Sequence, residues 1–485
     1  MGERPNPNPV PMPNTKIVAT LGPSSDSPEV IRGLFQAGVD VFRLNASHGT
    51  QEDHVKRVKL VREIADEMKI AVGILLDLQG PKIRLGRFEG GRAHIATGGV
   101  FTLTTEEVLG NAEIASTSYV DFAKDVREGD RVLLADGSVE LRVLETDGVA
   151  AAKLEVVTGG WVGDRKGMNL PGVQVSTPSL TRKDMSDLQM GLEAGIDFVA
   201  LSFVRRPNDV LRLRLFLEEK DAHVPIVAKI EKPEAWQNLD DILSESDGVM
   251  VARGDLGVEL ALERVPFIQK SIIERARLHG KFVITATQML ESMIENPFPT
   301  RAEVSDVANA IYDGTDAVML SAETSAGKYP VDAARMMDRI AGEAEVSIRS
   351  QGYKDPPYKD HPTHAEIVAD SAYRAARSAG VAAIVVFTAS GFSARLIARY
   401  RPPVPIFAFT PSQTTARQLS LIYGVFPFLA QHVKSTDEMM NQMDRTLIES
   451  RALKPRDSVV FVAGQPIGRT GSTNLMKLHR LGEAR

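Results

Sequence analysis

From Thr15 onward, short apolar runs alternate with amphipathic stretches, and this alternation narrows the fold more than any other feature of the 485-residue chain. Eight runs read as strands: Lys16–Thr20, Val39–Leu44, Ala71–Leu76, Phe198–Ser202, Ile226–Ile230, Gly248–Ala252, Phe282–Thr287 and Ala317–Ser321. Each is apolar nearly throughout, as strands buried on both faces of a parallel sheet must be. The stretches between them carry helix signals. Ser27-Pro28-Glu29 reads as an N-cap, a first-turn proline and an early acid, with Gly38 closing that helix. Thr181 pairs with Asp184 before a helix ended by Gly195, and Thr300 forms a capping box with Glu303 before Val304–Tyr312. Eight strands alternating with eight helices point to a (β/α)8 TIM barrel, with a doubly wound open sheet as the alternative.

The alternation breaks between Lys82 and Pro178. This Val-, Gly- and Thr-rich stretch has an Asp136-Gly137 hairpin signal between Arg131–Leu134 and Val139–Val143. It reads as an all-β lid domain, a small β-barrel at 82–178, inserted into a catalytic barrel made of 15–81 and 179–348. Residues 1–14 are proline-rich and read as a mobile tail without the apolar centre of a signal peptide. Gln351–Pro362 reads as a linker. A C-terminal α/β unit fills 349–485, with strands near Ile384–Phe387, Ile406–Phe409 and Val459–Val462 and a helix at Ala394–Tyr400.

Composition removes several classes of function. The net charge of −6 provides no basic field for nucleic acid or a membrane surface, and no apolar run is long enough to span a bilayer. With no cysteine in the chain, disulfides, thiolate nucleophiles and cysteine-bound zinc are excluded, which fits a cytoplasmic protein. No Walker A or Gly-x-Gly-x-x-Gly sequence is present, so bound phosphates must be held by side chains and metal.

A barrel enzyme works at the C-terminal ends of its strands. Charged and hydroxyl residues gather there: Arg43, Asn45, Ser47 and His48 after the second strand, Asp77 after the third, Lys229 and Glu231 on the fifth, Arg253 and Asp255 after the sixth, Thr287 and Gln288 after the seventh, Ser321 and Glu323 after the eighth. Lys229 and Glu231, two apart on a strand, point the same way. By themselves they read as an ordinary ion pair. Asp255 on the neighbouring strand adds a second carboxylate, and two carboxylates suit a hard divalent cation such as Mg²⁺ better than zinc. Lys229 would then offset charge on a transferring phosphoryl group. Arg43, Arg84 and Lys166 are candidate nucleotide-phosphate ligands, with His48 a structural or nucleotide-edge residue.

Several stretches resemble the signatures of the pyruvate kinase family. They are VFRLNASHGT at Val41–Thr50, LLDLQGPKIRLG at Leu75–Gly86, RKGMNLPG at Arg165–Gly172, AKIEKPE at Ala228–Glu234, MVARGDLGVE at Met250–Glu259, ITATQMLESM at Ile284–Met293 and PTRAEVSDVANAIYDGTDAVMLSAET at Pro299–Thr324. The match runs from about Thr15 to about Thr473. The resemblance implies transfer of the phosphoryl group of phosphoenolpyruvate to ADP, giving pyruvate and ATP in glycolysis, and a homotetramer. It implies that Glu231 and Asp255 bind Mg²⁺, with Mn²⁺ as an alternative. Lys229 supports transfer, while Gly254 and the Asp255 backbone cradle the substrate carboxylate. Thr287 and Ser321 lie near the carbon that is then protonated. Arg43, Asn45, His48, Arg84 and Lys166 fall on the nucleotide-phosphate side. A metal-dependent lyase or aldolase acting on pyruvate enolate is the rival reading, and it leaves the lid, Arg43, Arg84 and Lys166 without a task. A catalytically inactive scaffold is the other, and the complete set of Lys229, Glu231, Asp255 and Thr287 argues against it.

The chain departs from the common family pattern in one place. Many members hold K⁺ with residues matching Asn45, Ser47, Asp77 and the backbone at Leu78, and carry Glu where this chain has Lys82 and Thr where it has Leu78. A fixed ammonium at Lys82 should make a bound K⁺ redundant, and in this the chain resembles the K⁺-independent type. In the C-terminal unit, Thr388, Ser390, Gly391 and Ser393 match a regulatory phosphate loop, and Gly464–Asn474 a mobile effector loop. Ala389 and Phe392 stand where some bisphosphate-regulated relatives carry positive side chains, which leaves a sugar monophosphate or AMP as the expected effector.

Overall fold

The computed structural model describes residues 13–135, 137–351, 362–433, 435–467 and 471–483. Most of the expected tail, Asp136 of the hairpin turn, the linker at 352–361 and residues 468–470 of the expected effector loop lie outside them.

Eight parallel strands close into a ring: β1 (Lys16–Thr20), β2 (Val41–Asn45), β3 (Gly73–Asp77), β4 (Phe198–Leu201), β5 (Ile226–Ile230), β6 (Gly248–Ala252), β7 (Phe282–Ala286) and β8 (Ala317–Leu320). Each strand pairs with its sequence neighbours, and β8 returns to β1 with Lys16 opposite Ala317. The expected open-sheet alternative therefore drops out. Val18, Val41, Leu75, Val227, Met250, Ile284 and Met319 fill the interior, while Ile17, Phe42, Leu44 and Ile74 face the helical layer. Burial on both faces explains why these runs lack polar alternation. The expected ends of β2 and β3 shift by one or two residues, because strands whose two faces are equally apolar carry no marker of where pairing stops.

The caps hold the helices as their sequences require. Ser27 accepts from Val30 N, and Thr181 with Asp184 and Thr300 with Glu303 form reciprocal capping boxes. The helix expected at Val304–Tyr312 runs Arg301–Asp313, since it begins at its cap rather than at its first apolar residue.

The insertion has its own core, built on Phe101, Leu103, Val132, Leu141, Leu154 and Val156. Its six-stranded sheet ends at Met168–Asn169 on one side and Ile114–Ser116 on the other. The segment at 84–85 bridges both edges, Arg84 to Gly167 and Leu85 to Thr117, so the sheet curls toward closure. The expected strands Arg131–Leu134 and Val139–Val143 form a hairpin whose second arm extends to Thr146.

The C-terminal unit is a five-stranded sheet. Four strands, Val425–Leu429, Ile406–Thr410, Ala383–Phe387 and Ser458–Gly464, run parallel, and Thr473–Arg480 adds an antiparallel edge. The helix expected at Ala394–Tyr400 is Phe392–Ala398. This unit docks under the N-terminal ends of the barrel strands. Arg401 joins it to the barrel, donating to Gly314 O at 2.7 Å and pairing with Asp316 at 3.0 Å. The opposite end of the barrel, beside the lid, is left for chemistry. Among the described residues no helix is long and apolar enough to cross a membrane.

Candidate active site

β5 ends in the sequence Lys229-Ile230-Glu231, which places two charged side chains on the same side of the strand. Lys229 Nζ lies 3.3 Å from Glu231 Oε2 and 3.4 Å from Asp77 Oδ1, and donates to Ser202 Oγ at 2.7 Å. Ser202 in turn donates to Leu78 O at 2.7 Å. Arg43 grips Asp77 Oδ2 at 2.6 Å and donates to Thr20 Oγ1 at 3.0 Å. Residues from β1, β2, β3, β4 and β5 thus share one buried polar network at the strand ends. Ser202 and Thr20 belong to it without having been singled out in the sequence. A lone hydroxyl at a strand end carries no signal until the barrel closes around it.

The electrostatics follow from burial against pairing. Burial alone would raise the pKa of Asp77, but Lys229 and Arg43 together hold it below the usual carboxylate range. Burial likewise disfavours the Lys229 ammonium, yet Asp77, Glu231 and Asp255 outweigh it and hold Lys229 firmly protonated. Glu231 differs: desolvation, together with the charges of Asp255 and Asp77, pushes it up to about 7 against the opposing pull of Lys229. Its Oε1 accepts from Phe203 N at 2.6 Å, and its Oε2 is buried with no hydrogen-bond partner. A buried carboxylate oxygen left unsatisfied beside a second acid is what a hard divalent cation requires. Glu231 and Asp255 therefore fit such an ion. Among the described residues no group of three or more His, Cys, Asp or Glu converges to hold a metal, so the protein would supply only Glu231 and Asp255 to such an ion.

Past β6, Arg253–Glu259 forms a short helix whose Gly254 N donates to Thr287 Oγ1 at 2.8 Å. Thr287 and Gln288 both adopt positive φ, 67° and 52°, a region that costs a non-glycine residue on the order of 1 kcal/mol. Arg253 explains why the turn persists. Its guanidinium takes the carbonyls of Ala286, Thr287 and Gln288 and pairs with Asp306 at 2.7 Å. Ser321 ends β8 with its Oγ buried and unbonded, while its N donates to Glu323 Oε2 at 2.7 Å. No hydrogen bond joins Ser321 to Thr287 among the described residues.

On the lid side, Arg84 Nη1 donates to Arg165 O at 2.9 Å, and Lys166 is exposed. Neither touches the Lys229 network. His48 is the point where this side meets the barrel: desolvation and then the charges of Lys82, Arg43 and Arg84 lower its pKa. Ser47 N donates to Asn45 Oδ1 at 3.0 Å. Lys82 is exposed but lines the cleft of about 110 Å³ between lid and barrel, whose lining also includes Asp255 and Glu259. Lys232 pairs with Glu259 at 2.5 Å, and Asn169 reaches the same carboxylate from the lid at 3.1 Å. That lid–barrel contact was not evident in the sequence.

In the C-terminal unit, Thr388, Ser390 and Ser393 line a second cavity of about 230 Å³ together with Phe387, Phe409 and Ile467. Ser393 Oγ and Thr473 Oγ1 lie 2.5 Å apart. Gly391 turns the chain at φ 77°.

An eight-stranded barrel with a lysine-centred acidic network at its mouth and a lid above it has the architecture of a phosphotransferase. The comparisons agree. The barrel-domain model of pyruvate kinase matches residues 12–334, and its alpha/beta-domain model matches 366–479. The chain is 47% identical over 469 residues to the pyruvate kinase of Corynebacterium efficiens, covering 97% of this chain and 98% of that one. It is 46% identical over 472 residues to that of Geobacillus stearothermophilus, covering 97% and 80%. A crystal structure of a pyruvate kinase from Cryptosporidium parvum superposes with a TM-score of 0.90 at 38% identity, covering 97% of each chain. The chain belongs to the pyruvate kinase family.

Proposed function

We propose that this member of the family is a Mg²⁺-dependent, K⁺-independent pyruvate kinase of the cytoplasm, regulated by a phosphorylated metabolite bound to its C-terminal unit. The observation that carries the metal requirement is the buried Glu231 Oε2, which accepts no hydrogen bond, lies 3.3 Å from Lys229 Nζ and sits within the field of Asp255. Oxygen ligands favour Mg²⁺, with Mn²⁺ as an alternative. When bound, the ion supplies Lewis-acid polarisation of substrate oxygens.

The side chains supply the rest. Lys229, held charged, faces the position where negative charge grows on the phosphoryl oxygens and then on the enolate oxygen. Arg43, fixed by Asp77 and Thr20, presents a rigid guanidinium at the nucleotide side, where Asn45, His48, Arg84 and Lys166 are the further candidates. A substrate carboxylate at Gly254 and the Asp255 backbone takes the Gly254 N–H now given to Thr287. That exchange releases the Thr287 hydroxyl for the proton step, with Ser321 Oγ as the second hydroxyl. Closing the lid excludes water as a competing phosphoryl acceptor.

K⁺ independence is supported by the positive charge already present. Arg43 and Lys229 both engage Asp77, the Leu78 carbonyl is taken by Ser202, and the Lys82 charge reaches His48. A pyruvate-coupled assay in K⁺-free buffer tests it. The expected result is near-full activity with Mg²⁺ alone, loss on chelation and recovery on adding Mg²⁺ or Mn²⁺. Strong activation by K⁺ rejects the K⁺-independent part, and activity that survives chelation rejects the metal part.

For the effector, the described lining of the C-terminal cavity contains hydroxyls and aromatic rings but no Lys or Arg. This supports a monophosphate, a sugar monophosphate or AMP, over a bisphosphate. For a homotetramer, the support is the exposure of Leu262 at 73%, Phe267 at 63% and Phe298 at 72% on the flank of the barrel.

A further inference from the structure

Where the C-terminal unit meets the base of the barrel, far from the catalytic mouth, a cavity of about 30 Å³ is lined by five cationic side chains. Arg277 and Lys281 come from the barrel, and Arg395, Arg399 and Arg401 from the C-terminal unit. The lining contains one carboxylate, Asp316, which Arg401 engages at 3.0 Å. Arg399 reaches Glu366 only at 3.7 Å, and Lys281 Nζ donates to Ser246 O at 2.7 Å. The guanidinium of Arg395 makes no hydrogen bond or ion pair among the described residues. Desolvation lowers the pKa of both Lys281 and Arg395 from their usual values and outweighs the attraction of Asp247, which lies just outside the lining and acts on both, so each charge is held at a cost. Cations from two domains thus line one small cavity with a single carboxylate among them, and burying a charge is tolerated best when it is paired.

We propose that this cavity is a binding site for a single phosphate-class oxyanion, held between Lys281 of the barrel and Arg395 and Arg399 of the C-terminal unit. The volume corresponds to roughly two or three water sites at ~10–15 Å³ each. It admits one tetrahedral group and excludes a nucleotide. The anion neutralises charge from both sides of the joint and so fastens the C-terminal unit to the barrel. The site is separate from the cavity at Thr388–Ser393 but touches its supporting loop. A Cβ placed on Gly391 would lie 2.8 Å from Arg395 Nη1. Occupancy of the joint therefore bears on the loop above it. The proposal stands independently of which effector that loop binds.

The test compares the full chain with its Arg395→Met and Lys281→Met variants by thermal unfolding and calorimetric titration. Inorganic phosphate and glycerol phosphate are titrated separately against chloride at matched ionic strength. Phosphate also binds elsewhere on such an enzyme, so the reading is the difference between wild type and variant, whose other sites are intact. At saturation the wild type should gain on the order of 2 °C more than either variant. Arg395→Met should be at least as stable as wild type in phosphate-free chloride buffer, since it removes a charge whose desolvation outweighs the attraction of Asp247. A differential shift with inorganic phosphate identifies the free ion as ligand, and one with glycerol phosphate alone identifies a phosphorylated metabolite. Equal shifts in all three proteins, or no shift beyond chloride in any, overturn the proposal. Should one variant not fold, the other carries the same comparison.

Discussion

Lys229 and Asp77 face each other across the barrel mouth at 3.4 Å, and Arg43 secures the other oxygen of the same carboxylate at 2.6 Å. The aspartate thus positions two cations, which the proposed mechanism assigns to the transferring phosphoryl group and to the nucleotide. Lys229→Met keeps most of the length of the side chain and removes its charge. It should lower kcat for pyruvate formation by about 10²–10³-fold, the usual cost of deleting a group aimed at transition-state charge. The KM for ADP should change far less, because Arg43 remains anchored by Thr20. A coupled pyruvate assay reads both.

Much of this site was legible before the fold was known. Lys229 and Glu231 share a face because strand periodicity is two, and the capping boxes at Thr181 and Thr300 lie where their sequences put them. Other parts were not legible, for physical reasons. Val425–Leu429 was missed as a strand because Pro427 lies inside it, and proline is tolerated there only because the strand is an edge. Thr473–Arg480 was missed because Lys477, His479 and Arg480 make an antiparallel edge look like a polar loop. The Arg253 clamp is made of backbone carbonyls, which no side-chain pattern announces.

Lys82 offers a gain-of-requirement test. Lys82→Glu replaces the ammonium near His48 and Arg43 with a carboxylate. Activity without K⁺ should fall at least about tenfold, the effect of ~1.4 kcal/mol, and added K⁺ should restore it. Steady-state rates across a K⁺ titration at constant ionic strength give the answer. A variant that stays fully active without K⁺ would show that Lys82 has no part in cation replacement.

Arg253 should act by positioning the turn rather than by touching substrate. Arg253→Met removes the donors that hold the Ala286, Thr287 and Gln288 carbonyls, and the positive-φ turn should relax. The expected stability loss is about 2–3 kcal/mol, in the range for hydrogen bonds to a charged group. Deuterium incorporation into the methyl group of pyruvate should slow along with kcat, since the proposed proton step uses Thr287, whose turn would no longer be held. A purely structural role would lower the melting temperature and leave the exchange rate per folded molecule unchanged.

Asp338 lies on the long helix Pro330–Gln351, half-buried, and burial together with Asp40 and Glu345 raises its pKa to about 6. A carboxyl whose folded pKa exceeds its unfolded value of 3.8 favours folding below that value. The advantage is lost as pH rises through about 6. Asp338→Asn should therefore raise the unfolding midpoint at pH 8 and leave it nearly unchanged at pH 4. Thermal scans of both proteins at the two pH values show the sign.

The account rests on Lys229, Glu231 and Asp255 serving phosphoryl transfer rather than enolate chemistry alone. Parallel quantification of pyruvate and ATP from phosphoenolpyruvate and ADP, with the purified chain and Mg²⁺, tests this most directly. Equal amounts of the two products, and none of either without ADP, is the predicted result. Pyruvate released without matching ATP, or with water as acceptor when ADP is withheld, would contradict it.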